Sequence, residues 1–306
     1  MQILVVGAGA MGCLFAARLR KAGFQVTLFE KNRERAEKID DQGISVQGLT
    51  GEYVVKVPVC SGELSFQPDL VLICVKSNDT KEASQTIKPW LNPNTRILTL
   101  QNGIGNLEIL QQAFGRERVL GGVTAEGATV LGPGNIRHAG QGETVIGPAG
   151  GPESPVEAIV SAMNRAGFQT KAVEDVNQLI WGKLIINVAI NALAAITGLK
   201  NGRLPQLVGS RMIMEQAVEE AVAVARAKTI SLPYPDPISR VMEVCEATSD
   251  NVASMLQDVL NEKLTEIDFI NGAIVREGEA LGLATPVNFT LTALVHVIQE
   301  TYSERI

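Results

Sequence analysis

The sequence predicts an α/β first half built on a parallel sheet, followed by an all-α second half. Three observations carry that prediction. Strand-like apolar runs alternate with helical stretches through the first 125 or so residues, the rhythm of βαβ units. A glycine-rich turn, GAGAMG, joins the first run to a helix, and from about Val176 onward strand patterns almost vanish in favour of helical periodicity. A chain of 306 residues suits two domains, and we expect residues 1–174 to form the first and 175–306 the second.

In order, ILVVG reads as the first strand, MGCLFAARLRKAG as the helix after it and QVTLFE as the second strand. RERAEK is the solvated face of the next helix. LVLICVK, RILTLQNG and VLGGVT supply further strands. Residues 128–147, ATVLGPGNIRHAGQGETVIG, separate short alternating runs by turn residues, which predicts a small antiparallel meander closing the first domain. Their dispersed glycines read as turns, because no helix start follows them. Beyond these, residues 176–197, 207–229 and 253–282 have helical periodicity, and LPYPDPIS marks a break between two of them.

Composition removes several classes of function. No apolar run reaches the ~18 residues of a membrane helix, because Lys183 and the asparagines after it interrupt the greasiest stretch, so no membrane span is expected. The N-terminus starts directly with strand-like MQILVVG, which leaves no room for a signal peptide and predicts a cytoplasmic protein. Cys13, Cys60, Cys74 and Cys245 are scattered, and only His138 and His296 could add imidazole ligands, so we expect reduced core cysteines and no metal site. A net charge of −6 with no basic block, and 4% aromatics, argues against nucleic-acid binding.

Gly7, Gly9 and Gly12 fit G-x-G-x-x-G in the context that gives the pattern its meaning: an apolar strand before, an amphipathic helix after, and an acidic residue, Glu30, ending the next strand. Gly7 permits a tight turn, Gly9 lets the backbone approach a pyrophosphate, and Gly12 lets the helix pack closely, with Ala10 and Met11 on the same loop. A dinucleotide is therefore the expected cofactor. Glu30 can accept hydrogen bonds from the adenosine ribose hydroxyls, which favours NAD, and it would repel a 2′-phosphate by about 4 kcal/mol at 4 Å and an effective dielectric of 20. Lys31 and Arg33 follow at once and would hold that phosphate if Glu30 points away. Alternatively, Glu30 only begins the next helix.

WGKLIINVAIN, Trp181 to Asn191, poses a different problem. Lys183, Asn187 and Asn191 are spaced i, i+4, i+8 and form one row on a helix whose remaining surface is apolar. Asparagine is about 0.7 kcal/mol worse than alanine in a helix, and a buried ammonium without partners costs several kcal/mol, so something must meet that row. Either a neighbouring segment satisfies it or a ligand does. On the first half, Lys76 ends LVLICVK and Asn102 ends ILTLQNG, at the carboxyl rim where parallel sheets bind ligands.

These residues, with VK at 75–76, QNG at 101–103, Asn201-Gly202 and SMLQDVLNEKLTEIDFINGAIV from Ser254 to Val275, resemble the ketopantoate reductases (2-dehydropantoate 2-reductases) in order and over nearly the full length. The resemblance implies a Rossmann dinucleotide-binding domain, a helical domain of the 6-phosphogluconate dehydrogenase type, an active site in the cleft between them, and a 2-keto acid as substrate. It further implies that Lys183 is the catalytic lysine and Glu266 its partner carboxylate. Lys76, Asn102, Asn187, Asn191 and Ser254 fall on the substrate side, Lys76 and Asn102 also beside the cofactor, and Asn201 matches a further asparagine near the pocket. NADP is the cofactor the family implies, whereas Glu30 argues for NAD. Relatives on this scaffold also reduce other branched 2-keto acids to D-2-hydroxy acids with NADH. Helical faces in the second half admit a homodimer as readily as packing within the chain.

Overall fold

The computed structural model describes residues 1–149 and 156–304. It divides into two compact units, one of Met1–Gln101 with Asn106–Val176, the other running from Asn177 onward and including Asn102–Gly105.

The first unit is built on an eight-stranded sheet. Its centre is β1 (Gln2–Val6), flanked by β2 (Gln25–Phe29), and all pairings from there to β8 are parallel. The helices between strands are α1 (Ala10–Lys21) and α2 (Arg33–Gln42). Two short strands, β3 (Ile44–Gly48) and β4 (Tyr53–Val55), precede β5 (Val59–Cys60), the outer partner of β2. On the other side of β1 stand β6 (Leu70–Ile73), β7 (Arg96–Thr99) and β8 (Val119–Thr124), linked by α3 (Thr80–Ile87) and α4 (Asn106–Phe114). Ile3 to Val6 are 0% exposed and β6 is buried throughout, as expected of central strands in a parallel sheet covered on both faces.

Residues 128–147 differ from the expected meander. β9 (Gly127–Gly132) and β10 (Asn135–Gly140) form an antiparallel hairpin, but β10 also pairs parallel to β3, in a second sheet of order β4-β3-β10-β9. The next strand, β11 (Thr144–Pro148), leaves for the main sheet and runs antiparallel to β8. The alternation is real, but the parallel partner of β10 lies about ninety residues upstream, Asn135 opposite Ser45, beyond the reach of a local pattern. After α5 (Glu157–Arg165), β12 (Thr170–Ala172) closes that edge.

The second unit is helical: α6 (Asn177–Thr197), α7 (Val208–Ala227), α8 (Pro237–Ala247), α9 (Ser254–Leu260), α10 (Asn271–Ala280) and α11 (Pro286–Glu300). α6 is the core, with Leu184, Ile185, Val188, Ala192 and Leu193 in one apolar cluster with residues of α7, α9 and α11. By length and composition α6 is apolar enough to cross a membrane, with a mean hydropathy of 1.8 over its best 18 residues, contrary to the sequence expectation. Two-thirds of that window is buried, so its apolar faces already have protein partners. The expected helix over 253–282 is also corrected: the chain breaks after α9 and resumes as a short 3₁₀ turn, Ile267–Phe269, before α10. α8 begins inside LPYPDPIS, where Asp236 accepts the Ser239 N–H at 3.0 Å and Pro237 occupies the first helical turn, both helix-start signals.

Candidate active site

In the first unit the glycine loop follows β1. Gly7 has φ 104°, and a Cβ there would lie 2.8 Å from the Val75 nitrogen; a Cβ on Gly12 would stand 1.9 Å from the Gly7 carbonyl oxygen. Gly7 and Gly12 are therefore demanded by the turn itself. Gly9 is different. A Cβ there would meet nothing nearer than the Cys74 carbonyl oxygen at 4.0 Å, and no side chain caps α1, which Gly9 begins. That space beside an uncapped helix start, with Ala10 and Met11 partly exposed, fits a pyrophosphate.

Glu30 is 9% exposed at the end of β2. Its Oε1 accepts the Asn32 N–H at 3.0 Å, and its Oε2 stands 3.6 Å from Arg35 Nε. Lys31 is turned to Asp79 and Glu82, at 3.2 and 3.0 Å, which raise its pKa. Arg33 pairs with Glu37 on the exposed side of α2. The cation nearest the glycine loop is Arg35, which donates to the Ala8 carbonyl oxygen at 2.6 Å and which the sequence pattern does not single out.

At the carboxyl rim, Lys76 is exposed in the turn after β6. The loops after β6 and β7 are fixed by side chains: Gln101 Nε2 donates to the Val75 carbonyl at 2.7 Å and to Thr80 at 2.8 Å, and buried Asn106 donates to Ser77 at 3.0 Å while accepting from Thr80. A QNGIGN stretch after a strand was their only sequence signal.

Asn102 sits in the segment that groups with the second unit. Beside it Gly103 has φ 84°, and a Cβ there would lie 2.1 Å from the Phe269 carbonyl oxygen; Ile104 N–H donates to that same oxygen at 3.0 Å. Asn102 is thus tied to the 3₁₀ turn that follows Glu266.

On α6, Lys183, Asn187 and Asn191 form the expected row. Asn191 is 6% exposed, Lys183 and Asn187 partly so, and neither asparagine side chain makes a hydrogen bond among the described residues. Burial pushes the Lys183 pKa down from 10.5 to about 8, and the carboxylate of Glu266 pulls it back up. Glu266 is 7% exposed and lies at the head of the 3₁₀ turn rather than on a helix surface. Thr265 anchors that loop, its N–H donating to Gln299 at 2.6 Å and its hydroxyl accepting from the Ile267 N–H at 3.2 Å. Tyr234, from LPYPDPIS, donates to the Gly182 carbonyl at 2.6 Å, and Pro233 packs where a Gly182 side chain would be. Deeper, fully buried Asn271 donates to the Val188 carbonyl and to Asn288 at 3.0 Å each, and Asn288 donates to Glu220 at 2.7 Å. These helix-fixing residues are separated from the row by dozens of positions.

Ser254 opens α9 and is exposed. Asn201 is 8% exposed; it donates to Thr248 at 3.0 Å, and its N–H bonds the Asn251 carbonyl at 3.1 Å, so it holds the turn leading to Ser254. Among the described residues no cluster of side chains could hold a metal ion.

Residues 3–151 match the family described as ketopantoate reductase PanE/ApbA, and residues 175–299 match its C-terminal counterpart. The chain belongs to the ketopantoate reductase family. Among relatives in that family, the 2-dehydropantoate 2-reductase of Pyrococcus horikoshii is 36% identical over 96% of each chain. A ketopantoate reductase structure from Ralstonia eutropha JMP134 superposes with a TM-score of 0.90 at 35% identity, covering 99% of this chain and 100% of that one. A D-mandelate dehydrogenase solved with NADH and anilino(oxo)acetate superposes with a TM-score of 0.92 at 28% identity, over 99% and 100% of the two chains. Ketopantoate reductases are dinucleotide-dependent oxidoreductases, and the Rossmann-type first unit and helical second unit are those of the family.

Proposed function

We propose that this protein is a 2-dehydropantoate 2-reductase, which reduces ketopantoate to D-pantoate in the cytoplasm, on the route to pantothenate and coenzyme A. The observation that carries the reading is Lys183: a lysine with its pKa lowered to about 8 by burial and held up by Glu266, in line with two side-chain amides that make no hydrogen bond among the described residues. When bound, the reduced dinucleotide supplies the hydride for the carbonyl carbon. Lys183 polarises the carbonyl oxygen and donates the proton that completes the alcohol, and at pH 7 it is still largely protonated. Glu266 keeps that proton available by favouring the ammonium. Asn187, Asn191, Asn102 and Ser254 orient the substrate carboxylate and hydroxyl, and Asn201 supports Ser254 through the turn before it. Lys76 attends the cofactor side. Turnover of ketopantoate by the purified protein, with NADPH and NADH side by side, is the test; oxidation of either cofactor supports the proposal.

A second reading has its own observation. Glu30 stands at the end of β2, where an acidic residue in a Rossmann site favours the ribose hydroxyls of NAD, and a D-mandelate dehydrogenase solved with NADH superposes with a TM-score of 0.92. On that reading the protein is an NADH-dependent D-2-hydroxy acid dehydrogenase for another branched 2-keto acid. Cofactor binding without ketopantoate turnover, and turnover of such an acid, would favour it.

A further inference from the structure

Arg35 is placed where three parts of the first unit meet. It rises from the first turn of α2, donates its Nη2 proton to the Ala8 carbonyl oxygen between Gly7 and Gly9 at 2.6 Å, and turns Nε toward Glu30 Oε2 at 3.6 Å. Nε is buried and has no hydrogen-bond partner among the described residues, since 3.6 Å is too long for one. Glu30 is held from its other oxygen by the Asn32 N–H, so this carboxylate cannot swing freely away from the loop. The two other cations near the strand end are committed elsewhere, Lys31 to Asp79 and Glu82, Arg33 to Glu37. Cys13, whose thiol donates to the same Ala8 oxygen at 3.4 Å, has its pKa pushed up chiefly by burial, with smaller and opposite influences from Arg35 and Glu30.

In Rossmann sites the acidic residue ending the second strand meets the adenosine ribose, favouring a 2′-hydroxyl and opposing a 2′-phosphate. Here that carboxylate has a guanidinium beside it. We infer that Arg35 sets the discrimination between the 2′-hydroxyl of NADH and the 2′-phosphate of NADPH, by balancing Glu30 with a charge of opposite sign on a side chain that is 35% exposed. The inference rests on the dinucleotide reading of the glycine loop. Glu30 alone would exclude NADPH; Glu30 with Arg35 admits both cofactors.

Binding of NADH and NADPH, followed by nicotinamide fluorescence without any keto acid, tests this apart from catalysis. Wild-type protein is expected to bind the two within about tenfold of each other, the attraction and repulsion of unit charges being comparable at these distances. Arg35→Ala should weaken NADPH about thirtyfold or more while changing NADH less than about threefold. Glu30→Gln, which leaves the Ala8 bond in place, should shift the preference about tenfold toward NADPH. Equal weakening of both cofactors by Arg35→Ala would overturn the proposal, because it would mean that Arg35 acts only by shaping the loop through Ala8. An unchanged preference in Glu30→Gln would overturn it even if Arg35→Ala failed to fold. Wild-type protein that binds neither cofactor would overturn the dinucleotide reading and this proposal together, whereas binding of both with no ketopantoate turnover leaves this proposal standing and removes only the substrate.

Discussion

The candidate cofactor site of the first unit is made of backbone: Gly7, Gly9, Gly12 and the amides that open α1, all within six consecutive residues. The candidate substrate site of the second unit is made of side chains, Lys183, Asn187 and Asn191 from α6, Ser254 from α9 and Glu266 from a 3₁₀ turn. The difference teaches what each kind of site needs. At Gly7 and Gly12 the backbone site tolerates no added atoms, because its shape is its function. A side-chain site tolerates shape changes better but depends on charge states, and charge states depend on how deeply the groups are buried.

The sharpest test of that contrast is Lys183→Met. Turnover should fall about a thousandfold, since general-acid assistance contributes 10²–10⁴, while dinucleotide affinity in the other unit stays within about twofold. Stability should respond far less. The folded pKa of about 8 lies below the unfolded value near 10.5, so at pH 7 the folded state carries a partly buried ammonium at a cost that disappears only as pH rises from about 8 to 10.5. Lys183→Met removes that cost but leaves the Glu266 carboxylate, 7% exposed, without its cation, so the urea midpoint at pH 7 should move by no more than about 1 kcal/mol. The wild-type rate of keto-acid reduction should be level below pH 8 and fall toward tenfold per unit above it. A flat profile to pH 10 would remove Lys183 as the proton donor.

Gly12→Ala probes the backbone site with a single methyl. Its Cβ would fall 1.9 Å from the Gly7 carbonyl oxygen, so α1 must shift, at about 3 kcal/mol of stability and with loss of dinucleotide binding. Calorimetric binding at full wild-type affinity would show that the loop is looser than the glycines imply. Asn271→Ala should cost about 2 kcal/mol, because Asn288 Oδ1 loses a buried donor and the Val188 carbonyl loses its side-chain partner. If its kcat/KM is unchanged once folded, the network is scaffolding and does not tune the row. The smallest effect is expected from Tyr234→Phe, about 1 kcal/mol in denaturant unfolding, from the lost bond to the Gly182 carbonyl.

Legibility in the sequence follows the same divide. The glycine loop and its flanking strand and helix are contiguous, and the parallel sheet announces itself through apolar runs such as LVLICVK. The row on α6 could be found from its i, i+4 spacing, because one polar stripe on an apolar helix is anomalous wherever it occurs. Glu266 could not be read the same way: its periodicity suggests a helix surface, and the break that makes it a buried loop residue depends on Gln299 and Phe269 contacts that spacing does not encode. Arg35 was hidden for a related reason. Three cations follow Glu30 within five residues, and only the fold shows that Lys31 and Arg33 are spoken for by Asp79, Glu82 and Glu37. The β10–β3 pairing, joining Asn135 to Ser45, lies equally outside any local pattern.

The hydropathy of α6 has a consequence for the life of the chain before it folds. A nascent 21-residue segment this apolar is a candidate for membrane-targeting factors and for aggregation until its partners arrive from up to a hundred residues downstream. Its lysine and asparagines are the groups that lower its tendency to enter a bilayer. The residues proposed to handle the substrate are thus also the ones that interrupt the apolar surface of α6, so a variant that removes them makes the segment greasier as well as changing its chemistry.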